Sequence, residues 1–331
     1  MTLAVHDPHP YEGLTPDAVI SAVEATGRLC DGHLLALNSY ENRVYQVGLE
    51  EAEPVIVKFY RPGRWSRDQI LEEHAFTLEL QDAGLQVVAP LLDEEGHSLY
   101  THGDFLFAVY PRRGGHAPEP GGELLGLLGR SLGRLHAAAA GRRFRYRTTL
   151  DLEQFGVASR EFLLRNDFIP AELVPAYESL SDQLLQRMRQ VLADFGTQRR
   201  FRLHGDCHVG NLLWRGEQLW FVDFDDCMNG PAVQDLWMLL AGEREQQLRQ
   251  LSELIEGYSM FHDFHPGELV LIETLRTLRV MHYSAWLARR WSDPAFPRSF
   301  PWFNTGRYWS EHILALREQC AALDEAPLVL Y

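Results

Sequence analysis

Leu203-His204-Gly205-Asp206-Cys207-His208-Val209-Gly210-Asn211 runs into Leu212-Leu213-Trp214, and a second string, Trp220-Phe221-Val222-Asp223-Phe224-Asp225-Asp226, follows shortly after. Taken alone, Asp206 and His208 read as turn residues capping a hairpin. A metal cage of His204, Asp206 and His208 meets an objection, because softer metals usually want a further imidazole or thiolate nearby. A third reading uses both strings. Moving a phosphoryl group needs a nucleophile held in line and a hard cation to neutralise phosphate charge. Asp206 would accept or orient a hydroxyl proton, and oxygens of Asn211 and Asp223 would hold magnesium.

Around these strings the chain has 331 residues, enough for two lobes around a cleft. The formal charge of −15 argues against a nucleic-acid backbone as partner. Cys30, Cys207, Cys227 and Cys320 show neither C-x-x-C spacing nor a disulfide framework. Cys207 lies inside the first string and Cys227 just after the second, which predicts an activity sensitive to oxidation or alkylation. The opening residues have no basic or apolar leader character, and no apolar run reaches membrane-spanning length, so a cytoplasmic location and no membrane partner are expected. Of 31 basic side chains only Lys58 is lysine. A chain that otherwise uses arginine keeps a compact ammonium where a planar fork does not fit between oxygens.

The alternation in Val55-Ile56-Val57-Lys58-Phe59-Tyr60 predicts a strand with Lys58 on the face of Ile56 and Tyr60. An inward lysine there calls for phosphates and a helix carboxylate. Ser66 and Gln69 form a capping box before a helix reaching about Gly84. On its wheel Glu73 aligns with Phe76 and Leu80 while Glu72 lies beside Glu79, so Glu73 is the expected partner. Upstream, Thr15-Pro16-Asp17 opens a helix, and runs at 34–38 and 44–47 flank the turn Ser39-Tyr40-Glu41-Asn42. Further strands are expected at 87–92, 98–101 and 104–110. A Gly/Pro-rich break covers 113–122, giving a β-rich lobe over 1–112, a linker over 113–122, and a larger lobe over 123–331. Helices are expected there at 123–140, 170–195, 231–241, 243–259, 267–291 and 306–323, with a hairpin-like pair at 201–224. Gly126, Gly129 and Gly133 predict close helix packing, and the aromatics from Trp286 to Phe303 predict core. The fold class is α+β.

H-x-D-x-x-x-x-N followed by a strand ending in Asp has the spacing of the kinase catalytic loop and metal-binding strand. H-G-D-C-H-V-G-N with F-V-D-F-D-D resembles the aminoglycoside/choline phosphotransferase superfamily. L-N-S-Y-E-N-R-V-Y-Q-V, V-K-F-Y-R-P-G-R-W-S, G-P-A-V-Q-D-L-W-M-L-L and R-R-W-S-D-P-A-F-P-R-S-F-P-W are similar to the bacterial stress-response kinase A family over residues 37–309. The resemblance implies a bilobal protein-kinase-like fold of choline kinase type. It also implies a cytoplasmic, monomeric Ser/Thr protein kinase of a stress response, using ATP and Mg2+. Asp206 then matches the proton acceptor, Asn211 and Asp223 the magnesium ligands, and Ser39 a serine at the ATP site. Two departures stand out: Gly205 replaces the arginine of protein kinases, and the turn at Ser39 has no glycine. His204 and Asp225 are expected to support the site, Asp225 facing the cleft. Asp235 either bonds backbone N–H groups of the catalytic loop or serves as helix N-terminal charge. A small-molecule kinase for an amino alcohol, aminosugar or homoserine-like acceptor is the main alternative. An ATP-binding regulator without turnover is the other.

Overall fold

A computed structural model of the chain describes residues 9–119, 123–196 and 199–330. The expectations for residues 1–8 and for the last part of the linker, 120–122, lie outside the described residues. In chain order the first elements are α1 (Pro16–Glu24), β1 (Cys30–Ala36), β2 (Arg43–Leu49), β3 (Ala52–Phe59), α2 (Arg67–Asp82), β4 (Tyr100–His102) and β5 (Phe105–Pro111). There follow α3 (Glu123–Ala139), α4 (Ala158–Arg165), α5 (Val174–Phe195), β6 (Phe201–Leu203), β7 (Leu212–Arg215), β8 (Gln218–Phe221), β9 (Met228–Gly230) and α6 (Gln234–Trp237). The chain ends through α7 (Arg244–Tyr258), α8 (Ile272–Arg289), α9 (Ala295–Ser299) and α10 (Gly306–Ala322).

These elements form two compact units. The first takes the described residues up to His116, then Leu213–Asp225 and Ser292–Ala295. Its antiparallel sheet has the order β1-β2-β3-β5-β4. Val57 and Phe59 point into a core with Val47, Phe105, Phe107 and Val109, which α1 covers with Val19 and Val23. The alternate face carries Lys58, placed opposite Val44 and Ala108 in the sheet. Ser66 caps α2 through the expected reciprocal bonds with Gln69. That helix turns Ile70, Glu73, His74 and Phe76 inward. Residues 87–92, expected as a strand, form no ladder: Val87 bridges Phe221 and Leu91 N donates to Val109 O at 2.7 Å. Pro90 removes a donor from that run and limits its pairing.

The second unit takes Ala117–Leu212, Asp226–Trp291 and the chain from Phe296 onward. Its α3 packs on α7 at backbone distance. A Cβ at Gly129 or Gly133 would run into the carbonyl oxygens of Leu254 or Tyr258, so only glycine permits this approach. Leu251, Trp237, Leu269, Leu271 and Leu275 build a core beneath α6 and α8. Phe296, Phe303 and Trp309 are fully buried, so the late aromatic stretch is core, with Trp302 exposed at its edge. The hairpin read at 201–224 resolves into two pairings, β6 with β9 and β7 with β8.

Candidate active site

In the first unit Lys58 is the centre. Its side chain is buried, with Nζ 3.0 Å from Asp225, 3.2 Å from Asp223 and 3.7 Å from Glu73. Burial alone would lower its pKa. The three carboxylates outweigh that and raise it well above the usual lysine range. Glu73, fixed on the inner face of α2, is therefore a neighbour of the ammonium. Asp225, expected to face the cleft, lies against the Lys58 ammonium. It is 3% exposed and also meets Asn42 Nδ2 at 3.1 Å and the Arg64 guanidinium. Asp223 holds a left-handed backbone with φ of 57°, and its half-exposed carboxylate accepts from Lys58. Ser39 Oγ closes its own turn by donating to Asn42 O at 3.0 Å.

In the second unit the strand β6 delivers the chain to His204, and Gly205 turns it with φ of 86°. A Cβ at Gly205 would strike Asp226 O, which explains glycine at this place. Asp235, fully buried, accepts the N–H groups of His204 at 2.9 Å and Gly205 at 2.8 Å. It also meets His136 Nε2 at 3.0 Å, and His136 Nδ1 meets Tyr258 OH at 2.8 Å. Of the two roles open to Asp235, the contacts are those of a backbone anchor. His204 is buried and its Nδ1 accepts from Asp206 N at 3.4 Å.

Asp206 is ringed by donors. Asn211 Nδ2 reaches its carboxylate at 3.3 Å and its carbonyl at 2.9 Å. His208 Nε2 lies 3.3 Å from the same carboxylate, and Arg279 of α8 donates to the other oxygen. Burial would raise the Asp206 pKa, but His208 and Arg279 hold it well below the usual carboxylate range. It is therefore an anion at neutral pH, ready to accept a hydrogen bond. Because the Nδ2 of Asn211 is committed to Asp206, the amide oxygen is what Asn211 presents. That oxygen is a hard donor of the kind a magnesium ion prefers.

Three contacts had no local signature. Arg279 lies far along the sequence from Asp206, Asp293 is farther still from Arg43 and Arg61, and neither pair belongs to a spacing pattern. Asp225 was visible as the second acid of V-D-F-D, though its contact with Lys58 was not. Cys207 and Cys227 correct an expectation. Both are fully buried, which limits access of an oxidant or alkylating agent, and burial pushes the Cys207 thiol well above its ordinary range, away from the reactive thiolate.

Residues 33–270 match the model of the phosphotransferase enzyme family. The stress response kinase A of Escherichia coli K12 is 43% identical over 97% of both chains. A serine/threonine protein kinase RdoA of Salmonella typhimurium LT2 is 42% identical, again over 97% of each. Among solved structures, an amicoumacin kinase in complex with AMP-PNP, Ca2+ and amicoumacin superposes with a TM-score of 0.72 at 20% identity, covering 95% of this chain and 96% of that one. A microcompartment-associated aminopropanol kinase gives 0.67 at 18% identity, covering 93% and 97%. These two likenesses concern the fold, which is that of aminoglycoside and choline kinases.

Proposed function

The chain belongs to the phosphotransferase enzyme family, and from that premise we propose that this ATP-using kinase phosphorylates serine or threonine hydroxyls of proteins, as a magnesium-dependent cytoplasmic monomer answering stress. The observation that carries the chemistry is the Asp206 carboxylate, kept ionised and fixed by Asn211 inside the catalytic loop. Asp206 orients the acceptor hydroxyl. It takes the proton as the hydroxyl oxygen bonds the γ-phosphorus and the bond to the leaving β-phosphate oxygen breaks. Lys58 places its ammonium on phosphate oxygens, and Glu73 and Asp225 hold that ammonium in position. Ser39 adds a hydroxyl beside the phosphates. Asn211 and Asp223 would hold magnesium, which supplies positive charge against the phosphates when bound. Asp235 and His204 keep the catalytic loop rigid.

The protein acceptor is supported by similarity along the whole chain to the Salmonella Ser/Thr kinase, against the fold-level likeness to small-molecule kinases. ATP consumption measured with a casein-like protein and with a panel of amino alcohols and aminosugars tests it. The expected result is protein-stimulated turnover with label on serine or threonine; stimulation by the small acceptors alone overturns it. Asp206→Ala is expected to lose turnover while keeping ATP affinity, and activity retained within about tenfold, or about 1.4 kcal/mol, would remove Asp206 as the acceptor.

A further inference from the structure

W-S-D-P-A-F-P carries an aspartate with no role so far. We propose that Asp293 is a positioning residue for ATP, fixing through Arg43 and Arg61 the turn Ser39-Tyr40-Glu41-Asn42; this rests on the reading of that turn as the phosphate-facing one. A glycine-rich loop approaches phosphate because it lacks side chains, whereas a turn of ordinary residues keeps its shape only if something anchors it. Three successive carbonyls of this turn are anchored. Arg43 Nη1 donates to Tyr40 O at 3.0 Å, and Tyr11 OH donates to Glu41 O at 2.9 Å. Asn42 O accepts from Ser39 Oγ at 3.0 Å and from Arg43 Nη1 at 3.3 Å. In a trans peptide each carbonyl points opposite to the N–H that follows it, and none of these peptides is cis. Anchoring the carbonyls of Tyr40 and Glu41 therefore turns the N–H groups of Glu41 and Asn42 the other way, as a phosphate cradle requires.

Arg43 is itself held. Its Nη2 donates to both oxygens of Asp293 at 3.2 Å, and Arg61 Nη1 donates to the same carboxylate at 2.9 Å. The backbone N–H of Arg61 reaches Asn42 Oδ1 at 3.1 Å, so both arginines lead back to the turn. The Arg43 guanidinium lies 4.3 Å from the centre of the Tyr11 ring, the same tyrosine that anchors Glu41. Asp293 is 1% exposed and accepts the N–H of Ala295 at 3.0 Å, which fixes its own orientation. One buried carboxylate thus holds two guanidinium groups, and those groups shape the turn.

Asp293→Asn keeps the side-chain shape and removes the charge. Arg43→Lys keeps a charge but cannot bridge the turn and Asp293 together. Both variants are expected to raise the Kd for ATP, titrated without acceptor, by about tenfold, as partners one step behind a binding group do. The KM for ATP should rise in parallel while the KM for the protein acceptor stays within about twofold. The double variant should lose no more than the worse single one, because the residues act in series. Circular dichroism checks that each is folded, and Arg43→Lys decides if the Asp293 variant is not. ATP affinity within about twofold of the parent in the folded variants overturns the proposal, and so do losses that multiply in the double variant. Ser39→Ala and Lys58→Ala separate the two failures. If they weaken ATP binding and Asp293→Asn does not, only the role of Asp293 falls. If neither weakens it, the reading of the turn falls too.

Discussion

Lys58 shows what one side chain in context can decide. Its three carboxylate neighbours stand around a compact ammonium, and a guanidinium is wider and demands planar partners. Lys58→Arg is therefore expected to cost more than about tenfold in kcat/KM, or about 1.4 kcal/mol, although the charge is kept. An ATP analogue with an acylating group on its phosphate tail should label this one lysine and no other side chain, with excess ATP blocking it. Turnover close to the parent in Lys58→Arg would count against phosphate contact. The lysine was legible because composition isolates it and strand alternation orients it. The contacts of Asp225, Arg279 and Asp293 were not, since they depend on folding rather than on spacing. The cysteines teach the same limit: their positions in the sequence suggested reactivity, and burial removes it. Native protein treated with peroxide should keep Cys207 and Cys227 unmodified by mass spectrometry, and Cys207→Ser with Cys227→Ser should leave peroxide sensitivity unchanged. Oxidation of either thiol in folded protein would contradict that.

Elements were readable where their signals are local. The cap at Ser66, the proline-opened α1 and the alternation in β3 each need only neighbouring residues. By contrast, the helix expected over 231–241 shrinks to the four residues of α6, because Pro231 and the buried loop before it hold the chain in turns. The same short helix depends on Glu268, whose carboxylate accepts Val233 N at 3.0 Å. Burial raises the Glu268 pKa from 4.5 to about 7, with Val233 and Arg199 partly opposing. Since the folded value lies above the unfolded one, the folded state binds the extra proton between them. Stability linked to this group is present below about 4.5 and lost as pH climbs through 7. Glu268→Gln, which can still accept from Val233, should match the parent's melting temperature near the acid end and exceed it by a few degrees above pH 7. A constant gap across that range would show that Glu268 does not titrate as described.

At the scale of the molecule, the β-rich unit with one long helix and the larger helical unit follow from the order of the signals, and the family fold follows from the two acidic strings. What sequence order hides is that the first unit is assembled from three separate stretches. The span from Asp223 to Asp235 also has a global consequence. Its eleven intervening residues contain no serine, threonine or tyrosine, and all but Asp226 are buried. This span holds no phosphorylatable residue to act as a switch, so phosphatase-treated protein should turn over at the rate of untreated protein, and a large loss on dephosphorylation would point to a switch elsewhere. The three-stretch assembly bears on biosynthesis as well. A ribosome releases β1 to β5 long before the stretches holding Asp223, Asp225 and Asp293. Until those emerge, Lys58 has Glu73 but neither Asp223 nor Asp225, and Arg43 and Arg61 lack Asp293. The first unit is thus completed only when Ser292–Ala295 leaves the exit tunnel, so its maturation waits on a stretch made long after the strands that appear first.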